Sequence, residues 1–358
     1  MSLPTTMKAL VGNQTNDGSL VKEVPVPKLN DGDVLVKVAY VSQNPTDWKH
    51  VATRTPPDGI LGCDFSGTVV AVSGGEEKHR AHLKPGTRVA GVVHGGLFPD
   101  KGAFAEYVVT PADLVWVVPD SFSLSDASTF GIPFNTTVQA LVHSQKAPWP
   151  PAKQNEWIFI YGGSTGVGFF ATQIAKLQGY KVVTVASPRN HDLVKSYGAD
   201  EVFDYKDADA VVANVLKVTG GGVSRALDTI SEGNSQEITI KTFGPKGGQL
   251  NLLLPADPVA QSLRPDVNVV FLLAYTLFGL EFNFGERDQT FMLPAVKEDL
   301  EFHREAVSKT AALVENFGLK APPVTIRGGL EDIPAGFQEM QEGKVSAKRL
   351  VYKVAGGN

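Results

Sequence analysis

The sequence predicts an α/β protein with a β-rich, barrel-like domain followed by a doubly wound parallel sheet. Three observations support this prediction. The chain has 358 residues, which suits about two domains at roughly 150 residues each. Short β-rich runs fill the chain from residue 7 to about residue 121, whereas strands alternate with helical patterns from residue 157 onwards. Such alternation implies right-handed βαβ crossovers and a parallel sheet.

Short apolar runs separated by turn residues define the first domain. Turn signals such as Asn30-Asp-Gly-Asp33 and Lys84-Pro-Gly86 lie between these runs. Short strands at this spacing suggest a barrel-like fold. The longest basic cluster, residues 78–82, lies in a Gly- and Glu-rich stretch and is predicted to be a solvated loop without function. The strands predicted for this domain are 34–40, 65–72, 88–93 and 104–109.

The second domain begins with an apolar strand, a glycine-rich turn and a helix that Gly179 closes. The strands predicted here are 157–161, 181–186, 201–203, 225–229 and 248–253, and the first helix is 166–178. A tail follows with a helix over 286–316, a strand at 324–326, a helix near 336–342 and a final strand at 350–354. We expect domains over 1–130 and 131–285, with 286–358 returning to complete the first.

Composition and charge exclude several classes of partner. A net charge of -5 and a pI near 5.8 argue against nucleic acid or anionic lipid, because both need concentrated positive charge. The first residues lack the charged and apolar regions of a signal peptide, and no stretch of about 18 apolar residues occurs. The single cysteine, Cys63, excludes an internal disulfide and a multi-cysteine metal site. We expect a cytoplasmic protein that binds a small molecule.

The sequence Tyr161-Gly-Gly-Ser-Thr-Gly-Val-Gly168 lies between the first strand and helix of the second domain. A dinucleotide site lies in this context. Glycines let the backbone approach a pyrophosphate, and free N–H groups at a helix N-terminus favour an anion. A plain tight turn is the alternative interpretation. The pyrophosphate contacts that we predict are Gly163, Ser164, Thr165, Gly166 and Val167.

The end of the next strand discriminates between the two nicotinamide dinucleotides. An NAD site places Asp or Glu about 20 residues past the turn, whereas this strand ends Val185-Ala-Ser-Pro-Arg-Asn190. A hydroxyl and a guanidinium there suit a 2′-phosphate, because arginine forms a charged fork with phosphate oxygens. Asp192 is a mild objection, since its carboxylate would weaken phosphate binding. We predict NADPH, with contacts from Ser187, Pro188, Arg189, Asn190 and Tyr205.

Further motifs resemble one protein superfamily over essentially the whole chain. They are Asn44-Pro-Thr-Asp47, Gly62-Cys-Asp-Phe-Ser-Gly67, Phe203-Asp-Tyr205 and Lys348-Arg-Leu-Val351, together with the glycine-rich turn. They are similar to the zinc-free quinone reductase and enoyl reductase branch of the medium-chain dehydrogenase/reductase superfamily. Within it, the chain most resembles the trans-acting enoyl reductases that partner fungal iterative polyketide synthases. The resemblance implies a GroES-like first domain, a Rossmann second domain, and NADPH-dependent hydride transfer to an activated C=C bond.

The zinc sites of that superfamily are missing from this sequence. Its zinc alcohol dehydrogenases have a cysteine where Asn44 falls, a His-Glu pair at Cys63-Asp64, and a four-cysteine lobe after the strand at 88–93. One thiol cannot form the four-cysteine site, and an Asn side chain is a poor ligand for zinc. Without a Lewis acid the enzyme needs an acceptor that is already polarised, such as an enone or enoyl thioester. We therefore predict no metal.

The resemblance also implies which residues surround the nicotinamide and the substrate. The catalytic candidates are Asn44, Lys49 and Thr137. Further cofactor contacts, besides Lys49, are Thr46, Asp47, Trp48, Leu252, Leu253, Ala347 and Lys348. The substrate pocket is expected from two segments: Gly131, Ile132, Pro133, Phe134, Asn135, Thr136, Thr137 and Val138, and Thr276, Leu277, Phe278, Gly279 and Leu280. No general acid stands out, because His94, His143 and Asp64 are each better explained as structural residues.

Three functional hypotheses remain open on the sequence. The first is a trans-acting enoyl reductase that takes acyl thioesters from a polyketide synthase partner. The second is a quinone or enone reductase that acts alone on small diffusible substrates. The third is a non-catalytic NADPH-binding protein of the kind found among lens crystallins of this superfamily. The sequence does not choose between a monomer and a homodimer.

Overall fold

The structure is a computed structural model that describes residues 3–13, 15, 18–74, 82–286 and 289–354. Its strands, in chain order, are β1 Thr6–Gly12, β2 Ser19–Pro25, β3 Asp33–Ser42, β4 Asp64–Val72, β5 Arg88–Val92, β6 Tyr107–Pro111, β7 Val115–Val117, β8 Trp157–Tyr161, β9 Lys181–Val185, β10 Glu201–Phe203, β11 Arg225–Asp228, β12 Gly248–Leu252, β13 Val267–Phe271, β14 Phe282–Asn283, β15 Met292–Leu293, β16 Val324–Arg327 and β17 Arg349–Lys353.

The α-helices vary in length from one turn to more than five turns. They are α1 Pro45–Thr53, α2 Leu124–Ala127, α3 Ile132–Val138, α4 Gly166–Leu177, α5 His191–Ser196, α6 Ala208–Thr219, α7 Ser235–Lys241, α8 Pro258–Ser262, α9 Lys297–Phe317 and α10 Ile333–Gln341. A π-helical segment, Gln139–Ser144, continues α3. Among the residues that the structure describes, no helix combines the length and apolar character that a bilayer span requires.

The first compact unit comprises Met1–Ile132, Tyr275–Asn316 and Ala321–Asn358. Its main sheet has the order β16-β17-β3-β4-β5-β7, and β6 pairs with β3. Most neighbouring strands are antiparallel, so alternate side chains enter the core, where Val36, Val38 and Phe65 are buried. This β-rich sheet is the GroES-like architecture that the sequence predicts.

The second compact unit comprises Pro133–Ala274 and Phe317–Lys320. Its six strands are parallel in the order β10-β9-β8-β11-β12-β13. Side chains 158–161 of β8 are all buried, as expected for a strand that is covered on both faces. The order is that of a doubly wound dinucleotide fold and confirms the predicted fold class. The sixth strand, β13, was not predicted from the sequence.

Several boundaries differ from the sequence prediction. The helix predicted over 286–316 is α9, Lys297–Phe317, and the short hairpin β14–β15 precedes it. Pro294 lies between β15 and α9, and the Asn283 side chain accepts hydrogen bonds from the N–H groups of Gly285 and Phe291. Both features oppose a continuous helix, because proline has no N–H to donate and the Asn283 side chain gives two backbone N–H groups another partner.

Three further differences are smaller. Residues 104–106 of the strand predicted at 104–109 precede β6, which begins at Tyr107. The structure begins α10 at Ile333, before the predicted 336–342. Residues 275–285, predicted for the second domain, lie in the first compact unit. The loop predicted over 78–82 lies, except for His82, outside the described residues.

Candidate functional site

The glycine-rich turn joins β8 to α4 in the second unit. The chain turns at Gly162, where φ is +89°. Thr165 is the N-cap of α4, and its hydroxyl accepts a hydrogen bond from the N–H of Gly168 at 2.9 Å. Residues 164–167 are partly exposed. The turn therefore presents the first N–H groups of a 12-residue helix, which lack carbonyl partners within the helix.

The glycines of this turn allow α4 to pack closely against the sheet. A Cβ on Gly168 would lie 2.1 Å from the carbonyl oxygen of Gly162, and a Cβ on Gly163 would lie 2.5 Å from Oγ1 of Thr184. The N–H of Gly163 donates to the carbonyl of Val185 at 3.0 Å. Gly163, predicted as a pyrophosphate contact, thus uses its N–H to fix the turn on β9. The N–H of Thr165 is also used internally, toward the carbonyl of Gly162 at 3.1 Å, so Ser164, Gly166 and Val167 are better placed to meet an anion.

Two neighbouring strands end beside one another and carry the groups predicted for a 2′-phosphate. β9 and β10 are parallel, with Val185 opposite Phe203. Ser187 is partly exposed, Arg189 is exposed and Tyr205 is 41% exposed. Because the carboxyl ends of parallel strands meet at one edge of a sheet, these hydroxyl and guanidinium groups lie at the same edge. A hydroxyl and a guanidinium can each donate a hydrogen bond to a phosphate, so this edge offers donors to an anionic ligand.

A buried aspartate organises the loops that follow β11 and β12. Asp228 accepts hydrogen bonds from the N–H groups of Ile230 and Ser231, each at 2.9 Å, and from the hydroxyl of Ser235 at 2.6 Å. The Ser231 hydroxyl accepts a hydrogen bond from the N–H of Leu253 at 2.9 Å. Burial raises the pKa of Asp228, and these donors oppose the rise. The predicted contact Leu253 is thereby fixed to the β11 loop.

A buried guanidinium connects three polar side chains of the first unit. Arg349 Nη2 donates to the Ser42 hydroxyl and to Asn44 Oδ1, both at 2.8 Å, and lies 3.3 Å from Asp64 Oδ2. Asp64 Oδ1 accepts from the N–H of Ile132 at 2.7 Å. Asn44 is 1% exposed, so the structure assigns this predicted catalytic residue to the network that fixes the start of α1.

Two buried carboxyl groups lie in this region of the first unit. Burial raises the pKa of Asp47 to about 7, whereas the hydrogen bond from the N–H of Asn44 at 2.6 Å opposes the rise. Burial raises the pKa of Asp64 to about 6, and the Arg349 guanidinium limits that rise. Asp47, predicted as a cofactor contact, is 2% exposed and acts instead in the capping box of α1.

The other α1 residues predicted at the cofactor site are more accessible. Thr46, Trp48 and Lys49 are partly exposed. The Lys49 ammonium lies 5.7 Å from the centre of the Trp48 ring. The Thr46 hydroxyl is 2.7 Å from the hydroxyl of Tyr275, a residue that precedes the predicted substrate segment 276–280. Ala347 adopts φ of +53°, and Lys348 beside it is partly exposed.

The structure divides the predicted substrate residues into two groups. Phe278 and Leu280 line a cavity of about 140 Å³ in the first unit, together with His94, Phe98 and Lys101. By contrast, the side chains of residues 133–138 are buried. Apolar character alone does not distinguish a pocket from a core, and residues 133–138 are buried in this structure.

Thr137 was predicted as a catalytic residue, but its hydroxyl has internal partners. It is completely buried and donates to the carbonyl of Pro133 at 2.9 Å, with the carbonyl of Val167 at 3.2 Å. A hydroxyl has one proton to donate, and the Thr137 hydroxyl donates it in hydrogen bonds to carbonyl groups of the second unit. Thr137 therefore connects α3 to the start of α4.

The residues around Cys63 do not fit a zinc ion. Burial raises the pKa of the Cys63 thiol well above its usual range, whereas zinc binds the thiolate. The neighbouring Asp64 and Asn44 already share the cation of Arg349. Across the residues that the structure describes, no three His, Cys, Asp or Glu side chains are grouped to hold a metal.

Comparison with known proteins identifies the family. Residues 30–120 match the family described as "Alcohol dehydrogenase GroES-like domain", and residues 166–253 match "Zinc-binding dehydrogenase". These matches define the two-domain architecture of the medium-chain dehydrogenase/reductase superfamily. Trans-enoyl reductase ACTTS2 of Alternaria alternata is 41% identical over 355 residues, which cover 98% of this chain and 99% of that protein. Trans-enoyl reductase TOXD of Cochliobolus carbonum is 37% identical over 77% of this chain and 91% of its own length.

The chain belongs to the trans-enoyl reductase family of this superfamily and is an oxidoreductase. Solved structures at lower identity share its fold. An alcohol dehydrogenase superfamily protein from Novosphingobium aromaticivorans has a TM-score of 0.79 at 22% identity, over 98% of this chain and all of its own. The CurK enoyl reductase has a TM-score of 0.76 at 19% identity, with the same coverage.

Sequence reasoning missed four residues that organise these sites. Asp228 lies near the end of the strand predicted over 225–229, and a carboxylate at that position was a local signal. Arg349 lies within the closing motif, but its pairing with Asp64 spans 285 positions. His50 contacts Thr46 at the i,i+4 spacing of α1, which is a local signal, whereas Tyr275 contacts Thr46 across 229 positions. Pairings over such separations leave no local pattern.

Proposed function

We propose that the chain is an NADPH-dependent enoyl reductase that adds hydride to the β-carbon of an α,β-unsaturated acyl thioester. The observation that carries the proposal is the glycine-rich turn on α4, with Ser187 and Arg189 at the end of the neighbouring strand and no carboxylate between residues 185 and 190. The names of the relatives, trans-enoyl reductases, support the choice of acceptor.

The second unit offers the groups that hold the dinucleotide. The partly exposed N–H groups at the start of α4 suit the pyrophosphate, because the helix dipole and the free donors both favour an anion there. Arg189, with Ser187 and Tyr205 beside it, suits the 2′-phosphate through charge-assisted hydrogen bonds. Leu252 and Leu253 are proposed to flank the nicotinamide. A solved mycobacterial protein in complex with NADPH shares the fold at 22% identity and a TM-score of 0.74.

The first unit supplies groups for the acceptor. When bound, the reduced nicotinamide supplies a hydride, and the conjugated thioester then carries negative charge on its oxygen. We propose that the partly exposed Lys49 ammonium stabilises this negative charge, since a positioned cation stabilises a developing oxyanion. Phe278 and Leu280 are proposed to contact the acyl chain. Asn44 acts on the acceptor only indirectly. Its side chain is held by Arg349, and its backbone N–H is held by Asp47 at the start of α1.

An acyl thioester of this class suits a carrier protein of a polyketide synthase as its source. The relatives' names describe reductases that act in trans, which implies delivery of the substrate by a separate protein. We therefore propose a synthase as partner and the cytoplasm as the location. The proposal makes no choice between a monomer and a homodimer.

A substrate panel tests the proposed function. NADPH oxidation is measured with a crotonyl thioester, an alkenal and a quinone, and we expect kcat/KM to be highest for the thioester by about tenfold or more. Lys49→Met should lower kcat for the thioester by about tenfold to a hundredfold. Lys22→Met, which removes an exposed lysine paired with Asp58, is the matched control and should have no effect. Preference for the quinone would contradict the proposal.

A further inference from the structure

A line of hydrogen-bonding groups crosses the interior of the first unit and passes through Thr46. The Cys63 thiol lies 3.5 Å from the Tyr275 hydroxyl, which lies 2.7 Å from the Thr46 hydroxyl. Thr46 is 3.3 Å from His50 Nε2, and His50 Nδ1 is 3.2 Å from the carbonyl oxygen of Gly95. Of these side chains only Thr46 is partly exposed, so it is the point at which the line meets a ligand.

The carbonyl of Gly95 fixes the direction of the line. A carbonyl only accepts, so His50 Nδ1 carries the proton. Burial lowers the pKa of His50 to about 4, so the ring is neutral and Nε2 is an acceptor for the Thr46 hydroxyl. Because Thr46 donates to His50, it accepts from Tyr275. The Tyr275 proton therefore points toward Thr46.

Packing holds Tyr275 in this position. Its ring stacks on His94 with centroids 3.7 Å apart and an interplanar angle of 7°. His94 is held in turn by edge contacts with Phe98 and Phe282. Tyr275 is 4% exposed, so water does not replace Thr46 as its partner. The phenol is an aligned donor in a dry setting.

We propose that Thr46 and Tyr275 form the relay that protonates the α-carbon of the substrate after hydride transfer. This proposal rests on the proposed function. The Thr46 hydroxyl turns from His50 to the enolate, its O–H bond breaks and the α-carbon C–H bond forms. The Tyr275 O–H bond breaks as its proton passes to Thr46, and after product release a proton from water returns to Tyr275 through the partly exposed Thr46. Thr46 is the catalytic residue, and Tyr275 is a relay residue that acts through it.

The acidities favour this transfer. The C–H group next to a thioester carbonyl is a far weaker acid than a phenol, so an enolate takes the proton even though burial raises the pKa of Tyr275. The 3.3 Å contact between Thr46 and His50 is at the long end for a hydrogen bond, so the Thr46 hydroxyl turns at small cost. His50 accepts the hydrogen bond from the Thr46 hydroxyl before the reaction and accepts it again after the product is released.

The test reads the stereochemistry of protonation separately from hydride transfer. An α-methyl enoyl thioester is reduced with NADPH deuterated at nicotinamide C4, and the product is analysed for deuterium at the β-carbon and for configuration at the α-carbon. We expect the native protein to give one α-configuration. Tyr275→Phe keeps the ring that stacks on His94, and it should retain β-deuterium and NADPH affinity by calorimetry but give a mixture at the α-carbon.

Matched variants separate the relay from general damage. Thr46→Val should give the same mixture as Tyr275→Phe, whereas Thr46→Ser, which keeps the hydroxyl, should restore one configuration. Tyr180→Phe removes another buried phenol, in the second unit, and should match the native protein. An unchanged single configuration in Tyr275→Phe or Thr46→Val overturns the relay. Absence of β-deuterium with the native protein is a different result, which counts against the proposed function.

Discussion

In the proposed function, the choice of cofactor depends on Arg189. It is exposed at the end of β9, and the chain places no carboxylate from Val185 to Asn190. A charge-assisted hydrogen bond to phosphate contributes about 1.5–3 kcal/mol, which corresponds to tenfold or more in affinity. On the proposed function, the guanidinium affects only a cofactor that carries the 2′-phosphate.

Replacement of this arginine should change the preference between cofactors. Arg189→Ala is expected to raise KM for NADPH by about tenfold or more and to leave that for NADH nearly unchanged. Arg327→Ala is the control, because Arg327 is an arginine of the first unit in a surface pair with Glu339. Steady-state kinetics with both cofactors makes the comparison. Equal effects of Arg189→Ala on KM for NADPH and for NADH would contradict the assignment of Arg189 to the 2′-phosphate.

Asp47 gives the protein a pH-dependent stability of defined sign. Its folded pKa of about 7 lies above the usual 3.8, so the folded protein binds the proton more tightly than the unfolded chain does. Stability from this group is complete below about pH 3.8 and is lost as the pH rises through about 7. The Asp64 charge adds to the rise in the pKa of Asp47, whereas the hydrogen bond with Cys63 and the Arg349 charge oppose it.

A neutral isostere should remove this dependence. Asp47→Asn is expected to gain stability relative to the native protein as the pH rises from about 4 to 7, by a few kcal/mol at most. Denaturant unfolding at a series of pH values measures the difference between the two proteins. A difference that is constant, or that falls with rising pH, would show that Asp47 is ionised throughout.

Candidate site residues could be named from the sequence where a local pattern carries them. The sequence indicated Thr165, Ser187 and Arg189 because a strand, a turn and a helix follow one another within a short segment. It did not indicate that the Thr137 hydroxyl is taken by Pro133, since burial of a side chain depends on distant packing. The burial of residues 133–138 could not be predicted for the same reason, and their role in the substrate pocket stays a prediction.

Among the elements, α4 shows how glycines determine a site. Its first turn lies so close to β8 that only hydrogen fits at Gly168. A methyl group there would lie 2.1 Å from the carbonyl oxygen of Gly162, so the helix must move away from the strand. That movement would displace the N–H groups proposed to bind the pyrophosphate.

An alanine at this position should therefore weaken both folding and cofactor binding. Gly168→Ala is expected to cost about 1–3 kcal/mol in unfolding free energy and to reduce NADPH affinity. Gly244→Ala is the matched control, because a Cβ at Gly244 meets its nearest atom at 3.4 Å. Chemical denaturation and calorimetry measure the two effects. Native affinity in Gly168→Ala would argue against a role for the close approach of α4.

Element types were more predictable than element boundaries. Periodicity located β8, α4 and β10 with little or no error, because strong turn signals flank them. The tail was harder: residues before Lys297 form the hairpin β14–β15 and not a helix. The side chain of Asn283 decides this outcome through bonds to Gly285 and Phe291, and such pairing has no periodic signature.

The protein combines a dinucleotide fold with a β-rich domain. In that domain, the positions that bind zinc in the zinc alcohol dehydrogenases of this superfamily hold other groups. Arg349 lies between Asn44 and Asp64, and Cys63 is a buried thiol. A positive charge and a protonated thiol are both unfavourable for a zinc site. The chain therefore suits an acceptor that conjugation already polarises, and the enoyl thioester of the proposed function meets this requirement.

The fate of the transferred hydride tests the proposed chemistry most directly. Protein depleted of metals by chelation is incubated with a crotonyl thioester and NADPH deuterated at nicotinamide C4, and the product is analysed by NMR. We predict a saturated thioester with the deuterium at the β-carbon. Deuterium at the α-carbon only, an alcohol formed by reduction of the carbonyl, or activity that returns only with zinc would contradict the proposed function.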